Sequence, residues 1–245
     1  MKKILVFIGN FGSGKTELAL DFALRTAKTG RTELIDLDMV NTYFRLSEYR
    51  SLAEDAGIRM VSPNYVMTNV ESLSLPAEVA SAFHMDWGTV VFDAGGDPAG
   101  ATALGRFHEN FAELESGQLE VLHVVNARRP MSGTAEKLLA LQRDMEKNAR
   151  LQVTGLINNT NLQTETTPEE LEYGYEVLCT VSQQTGLPVV YTTGEKKLLD
   201  AFLAGEHDPR YVGTPVPLQF RMRRDWASYI GALRDKQAAN RIDIK

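Results

Sequence analysis

The segment Gly9-Asn10-Phe11-Gly12-Ser13-Gly14-Lys15-Thr16 carries the most explicit chemistry in this sequence. It fits G-x-x-x-x-G-K-S/T at every fixed position, the spacing that wraps a polyphosphate. Glycines let the backbone curl until several N–H groups aim at one anion. Lys15 is placed to reach the β- and γ-phosphates of a nucleoside triphosphate, and the Thr16 hydroxyl to bind Mg²⁺. The apolar run Lys3–Ile8 precedes the loop and the amphipathic stretch Lys15–Lys28 follows it. That order gives a strand to support the loop and a helix N-terminus whose partial positive charge faces the anion.

Two more segments offer carboxylates where such a ligand would lie. Leu34-Ile35-Asp36-Leu37-Asp38 closes a strand-like run with two acids one residue apart, on one face if the pleat persists. Acids so placed hold Mg²⁺ or orient the water that attacks a γ-phosphate. Asp38 takes that role here, with Asp36 supporting it. Thr89-Val90-Val91-Phe92-Asp93 sets another acid after four strand residues, and Asp93 is expected in the Mg²⁺ shell. Gly95 and Gly96 let a backbone N–H approach the γ-phosphate, a contact that hydrolysis would release. Asp97 reads as a helix cap. Asn41-Thr42-Tyr43-Phe44-Arg45 stands where a switch loop would follow the first acids, and Arg128-Arg129-Pro130 follows a strand on the same side. His84, His108, His123 and His207 show no metal spacing, and His123, inside an apolar run, reads as a satisfied core residue.

Apolar runs that alternate with helical patterns must position these groups. Strands are expected at Lys3–Ile8, Glu33–Leu37, Arg59–Val61, Thr89–Phe92, Glu120–Val125, Gln152–Ile157 and Val189–Tyr191. Helices are expected at Lys15–Lys28, Ser47–Glu54, Pro76–Phe83, Gly100–Leu114, Ser132–Asn148, Pro168–Gln184 and Lys196–Leu203. Strands that are apolar along most of their length are covered on both faces. The fold class is therefore α/β, a doubly wound, mostly parallel sheet flanked by helices. Gly30 and Gly57 read as C-terminal caps, and Thr167-Pro168-Glu169-Glu170 as a helix start. Residues 1–205 form the nucleotide-binding domain. Residues 206–245 are an irregular extension, with a helix from Asp225 to Gln237, packed on that domain or on a partner.

Composition narrows the classes. The chain has 245 residues and a net charge of −6, which argues against a nucleic-acid coat. The apolar run Ile4–Ile8 falls far short of the ~20 residues a spanning helix needs, so no membrane is expected and the location is cytoplasmic. The single Cys179 excludes an intramolecular disulfide.

GNFGSGKT, LIDLDMVN and VVFDAGGD, in that order, resemble the MinD/ParA/CobQ-CobB class of P-loop proteins, to which the nitrogenase iron protein and dethiobiotin synthetase belong. Gly155-Leu156-Ile157-Asn158-Asn159 resembles the strand end whose Asn reads adenine in that class; Asn159 matches, with Asn158 as the second candidate. The resemblance covers about residues 1–205 and implies ATP/ADP and Mg²⁺ as ligands. It also implies a homodimer, a protein client or a small-molecule substrate as partner. The strand end Asn158-Asn159-Thr160-Asn161 lacks the Asn/Thr-Lys-x-Asp guanine signature, which favours ATP over GTP. Asn10 stands where many members of the class carry a Lys that crosses a dimer interface. One Cys per chain cannot supply the thiolates of an iron–sulfur cluster. The expected activity is slow ATP hydrolysis with a nucleotide-controlled switch. Two alternatives stay open: an ATP-dependent ligase or kinase of the dethiobiotin synthetase or cobyrinate amidase type, and a non-enzymatic nucleotide-dependent scaffold.

Overall fold

The computed structural model describes residues 2–38, 46–62, 77–84 and 88–222. The expected switch segment 41–45, most of the loop after Ser62, Pro76, Arg223, Arg224, Trp226 and the helix 225–237 lie outside the described residues. The described strands are β1 (Lys3–Ile8), β2 (Thr32–Leu37), β3 (Arg59–Val61), β4 (Thr89–Ala94), β5 (Leu119–Val125), β6 (Gly155–Asn158), β7 (Val189–Gly194) and β8 (Thr214–Pro217). They form one eight-stranded sheet in the order β3-β2-β4-β1-β5-β6-β7-β8, and each pairing is parallel.

Alternation along β1 explains why both faces are covered. Ile4, Val6 and Ile8 enter one apolar layer; Leu5 and Phe7 enter the other, against Leu18 and Phe22. Leu18 and Phe22 belong to α1 (Lys15–Thr26), whose apolar stripe lies on the sheet. The opposite layer is closed by α4 (Pro98–Gly105) and α6 (Ala135–Ala149), through Leu104, Leu138 and Met145. α2 (Arg50–Asp55), α3 (Ala77–Ser81), α5 (His108–Ala112), α7 (Pro168–Thr185) and α8 (Lys196–Leu203) complete the described helices.

Several expected boundaries move. The helix expected at Gly100–Leu114 is two helices, α4 and α5, separated by Arg106 and Phe107. Gly105 ends the first where its Cα lies against the Asn148 carbonyl of α6, and Phe107 turns inward onto Phe83. Gly57 follows α2 with φ 75°, as a C-terminal cap requires; Gly30 is not among the left-handed glycines. Thr167 and Glu170 form a capping box at the start of α7. The extension expected to be irregular holds β8, an edge strand whose Pro215 and Pro217 lower its strand propensity. His123 is a buried core residue; burial holds its pKa down to about 4, against the opposing hydrogen bond of the Gln142 side chain.

Candidate phosphate-binding site

β1 has β4 on one side and β5 on the other, so the loops after β1, β4 and β5 meet at the carboxyl edge of the sheet. Gly9 (φ 153°), Gly12 (φ 72°) and Gly14 (φ 93°) put the loop after β1 in conformations that side chains disfavour. A Cβ on Gly9 would stand 2.4 Å from the Val124 carbonyl oxygen, so the loop's first residue lies directly on β5. The Asn10 side chain stays on its own loop, where its Oδ1 accepts the Phe11 N–H (2.8 Å). Gly14 caps α1 without a side-chain acceptor, so nothing in the cap competes for the helix's first N–H groups. Phe11 is 58% exposed at the loop's rim, and Ser13 is buried beneath it.

Lys15 is buried, and its Nζ donates to the Asn10 carbonyl (3.0 Å). Burial pulls its ammonium below the usual lysine range, against the opposing pull of Asp93, Asp38 and Asp97. Asp93 stands opposite Asp36 in the β2–β4 register. Both Asp93 oxygens are buried without a hydrogen-bond partner. Burial, then the neighbouring Asp36 charge, push its pKa well above the usual value; Lys15 and the nearby Thr16 hydroxyl pull it back. Asp36 receives the Asp38 N–H (3.0 Å), which fixes the start of the loop beyond β2 and leaves Asp38 lining the cleft.

An orphaned buried carboxylate beside a hydroxyl is what a divalent cation would satisfy. Asp93, Thr16 and Asp38 are the hard oxygen donors that Mg²⁺ prefers. Among the described residues no group of three or more His, Cys, Asp or Glu side chains could enclose an ion. Mg²⁺ commonly takes one or two protein carboxylates and completes its shell with substrate phosphates.

The loop after β4 lies directly on the phosphate loop. A Cβ on Gly96 would fall 2.7 Å from the Phe11 nitrogen and 2.8 Å from Lys15 Nζ; one on Gly95 would fall 2.9 Å from the Gly100 Cα. Gly96→Ala is therefore expected to displace Phe11 or Lys15 and weaken nucleotide binding about tenfold or more. Its thermal midpoint should fall as well, since a Cβ pressed onto the Phe11 backbone overpacks the contact between the two loops. Parallel titration calorimetry and thermal melts check this. Asp97 caps α4, accepting the Gly100 N–H at 2.8 Å.

The amides at the end of β6 are heavily engaged. Asn159 Nδ2 donates to the Ser13 carbonyl (2.7 Å), and its Oδ1 accepts from the Thr193 hydroxyl (2.7 Å), bracing β6 and β7 against the phosphate loop. Asn158 turns towards α7, where its Nδ2 donates to the Leu171 carbonyl (3.0 Å). Asn159 lines the cleft with Asn161 and Gln163. Sequence reasoning missed Asn126, a buried Asn just after β5. It ties the β5 and β6 loops together through the Asn161 carbonyl (3.0 Å). The Arg pair divides its work. Arg128 lies over the Tyr173 ring and meets Glu170, whereas Arg129 Nε donates to the Gly12 carbonyl (2.9 Å).

The sequence matches no family profile, and no curated protein aligns with it. Solved structures share its fold. FtsY of Thermotoga maritima superposes with a TM-score of 0.54 at 18% identity, over 82% of this chain and 64% of that one. FtsY of Mycoplasma mycoides gives 0.56 at 14% identity, over 83% and 66%. The Signal Recognition Particle 54 kDa protein of Aeropyrum pernix, solved with GDP, gives 0.52 at 18% identity, over 99% and 49%. This chain spans less than two thirds of the length of each.

This is the P-loop NTPase fold. Within it, the loop at Gly9–Thr16 runs from β1 into α1, the strand–loop–helix order that the sequence motif requires. Among the described residues no helix is long and apolar enough to cross a membrane.

Proposed function

We propose that this chain binds Mg-ATP in the cleft above Lys15, hydrolyses it slowly, and changes the arrangement of its carboxyl-edge loops with the state of the nucleotide. The observation that carries this reading is a buried Lys15 and a buried Asp93 that feel each other's charge beneath the Gly9–Thr16 loop, with the Thr16 hydroxyl beside Asp93. Such a pair is costly in the empty protein and is satisfied by an anionic ligand that arrives with its cation. In the reading, loop N–H groups and Lys15 bind the β- and γ-phosphates and take up charge as the β–γ bridge breaks. Asp38 orients the water aimed at the γ-phosphorus, and Asp36 holds Asp38 through its N–H. Mg²⁺, when bound, neutralises phosphate charge at Thr16 and Asp93. Gly95 and Gly96, lying on the phosphate loop, are the contact that loss of the γ-phosphate would release. A homodimer, a protein client or a small-molecule acceptor would read that change.

Adenine is the favoured base because the strand end Asn158-Asn159-Thr160-Asn161 lacks the guanine signature, while the Gln163 amide lines the cleft. An amide can both donate and accept, as the adenine edge requires. Guanine is the second reading, supported by the GDP in the Aeropyrum pernix neighbour. Calorimetric titration with Mg-ATP and Mg-GTP, followed by phosphate-release assays, tests both. The expected result is micromolar ATP binding, weaker GTP binding and slow release of inorganic phosphate. Tighter GTP binding establishes the second reading, and no binding of either overturns the proposal.

A further inference from the structure

Glu17 follows Thr16 directly, in the first turn of α1, yet its carboxylate points away from the phosphate chemistry. It is buried and accepts the backbone N–H groups of Arg221 (2.8 Å) and Met222 (2.9 Å), more than 200 residues along the chain. The same face of α1 holds this segment twice more. One turn on, Asp21 meets the Arg221 guanidinium (3.2 Å); a turn further, the Arg25 guanidinium donates to the Pro217 carbonyl. On the other side, the Tyr49 hydroxyl donates to the Arg221 carbonyl (2.8 Å). The segment after β8 is thus a strap, fastened to residues four apart on one helix.

We propose that this strap is the wall of the cleft that meets the nucleoside base, and that Glu17 is the residue that positions it. The proposal rests on the nucleotide reading above and extends it to base recognition. Phe220 and Met222 line the same cleft as Lys15 and Thr16, and so does the Gln163 amide, whereas those of Asn159 and Asn161 brace the loops behind it. That combination divides a base by its chemistry: an apolar wall for its flat face, an amide for its polar edge. Two N–H groups on one carboxylate are charge-assisted bonds with fixed geometry, so Glu17 sets where the wall stands. Burial raises the Glu17 pKa, while the two N–H groups and Arg221 oppose the rise. The Glu17–strap link also joins the wall to the phosphate loop, because Glu17 continues the turn that Lys15 and Thr16 begin.

The test compares Mg-ATP with Mg-tripolyphosphate, which carries the phosphates and no base. Dissociation constants for both are measured on the full chain and on Phe220→Ala, Phe220→Trp and Glu17→Gln. Phe220→Ala is expected to weaken ATP about tenfold, within what a base–aromatic stack contributes, and to leave tripolyphosphate within about twofold. Phe220→Trp should keep ATP affinity. Glu17→Gln keeps the size of the side chain but removes the charge, and should show the same selective loss of ATP. Equal losses for both ligands, or no loss of ATP in Phe220→Ala and Glu17→Gln, overturn the strap's role alone. A parent protein that binds neither ligand overturns the nucleotide reading as well.

Discussion

Lys15→Ala is expected to bind Mg-ATP about 100-fold more weakly than the parent and to lose phosphate release by a similar or larger factor. Two effects add. The ammonium that would pair with the terminal phosphates is gone, and Asp93, Asp38 and Asp97, which it now partly neutralises, are left facing an anion. Tripolyphosphate should lose affinity as ATP does, which separates this variant from any change in the strap. The measurement is titration calorimetry with each ligand, with circular dichroism to verify the fold. Affinity within a factor of three of the parent would remove Lys15 from the phosphate site.

Asp93→Asn should move stability and activity in opposite directions. In the empty protein the Asp93 carboxylate is buried, lacks hydrogen-bond partners and faces Asp36. Replacing it with a neutral amide that can donate to Asp36 should stabilise the empty protein by about 1–3 kcal/mol. Phosphate release should fall by about 100-fold, as expected when charge stabilisation at the reacting phosphate is lost. The pH dependence has a definite sign. Because the folded pKa lies above the unfolded value, the group's stabilising contribution is full below the usual carboxylate pKa. It is lost as pH rises through the raised folded value. The stability advantage of Asp93→Asn should therefore be largest at neutral pH and shrink on acidification. Thermal melts from neutral pH down to about pH 4 check this; a constant difference across that range would exclude Asp93 as its source.

The phosphate loop was legible because its chemistry is local. Eight adjacent residues determine it, and the glycines there have the left-handed φ values that the motif requires. The strand ends at Asp36 and Asp93 were legible for the same reason, as were Asp97 and Thr167, caps whose partners lie three residues away. What escaped depends on contacts distant in sequence. Glu17 reads as an ordinary first-turn acid until Arg221 and Met222 arrive. Asn159 matches a base-reading Asn in sequence, but its contacts with Ser13 and Thr193, at both ends of the amide, are not written there. β8 was invisible because alternating prolines contradict strand propensity, and only its pairing with β7 makes it a strand.

Those prolines have a consequence for how copies of this chain can meet. The Leu218 N–H bonds inward to the Gly194 carbonyl, so the nitrogens of Pro215 and Pro217, at alternate positions, face outward. Proline nitrogen carries no hydrogen, and the Arg25 guanidinium covers the outward Pro217 carbonyl. This rim presents no donors to an incoming strand, and the opposite rim, β3, is three residues long. The sheet is thus insulated against growing into a continuous ribbon from one molecule to the next. Among the described residues, that leaves helix faces and carboxyl-edge loops, rather than sheet edges, as surfaces where two copies could meet.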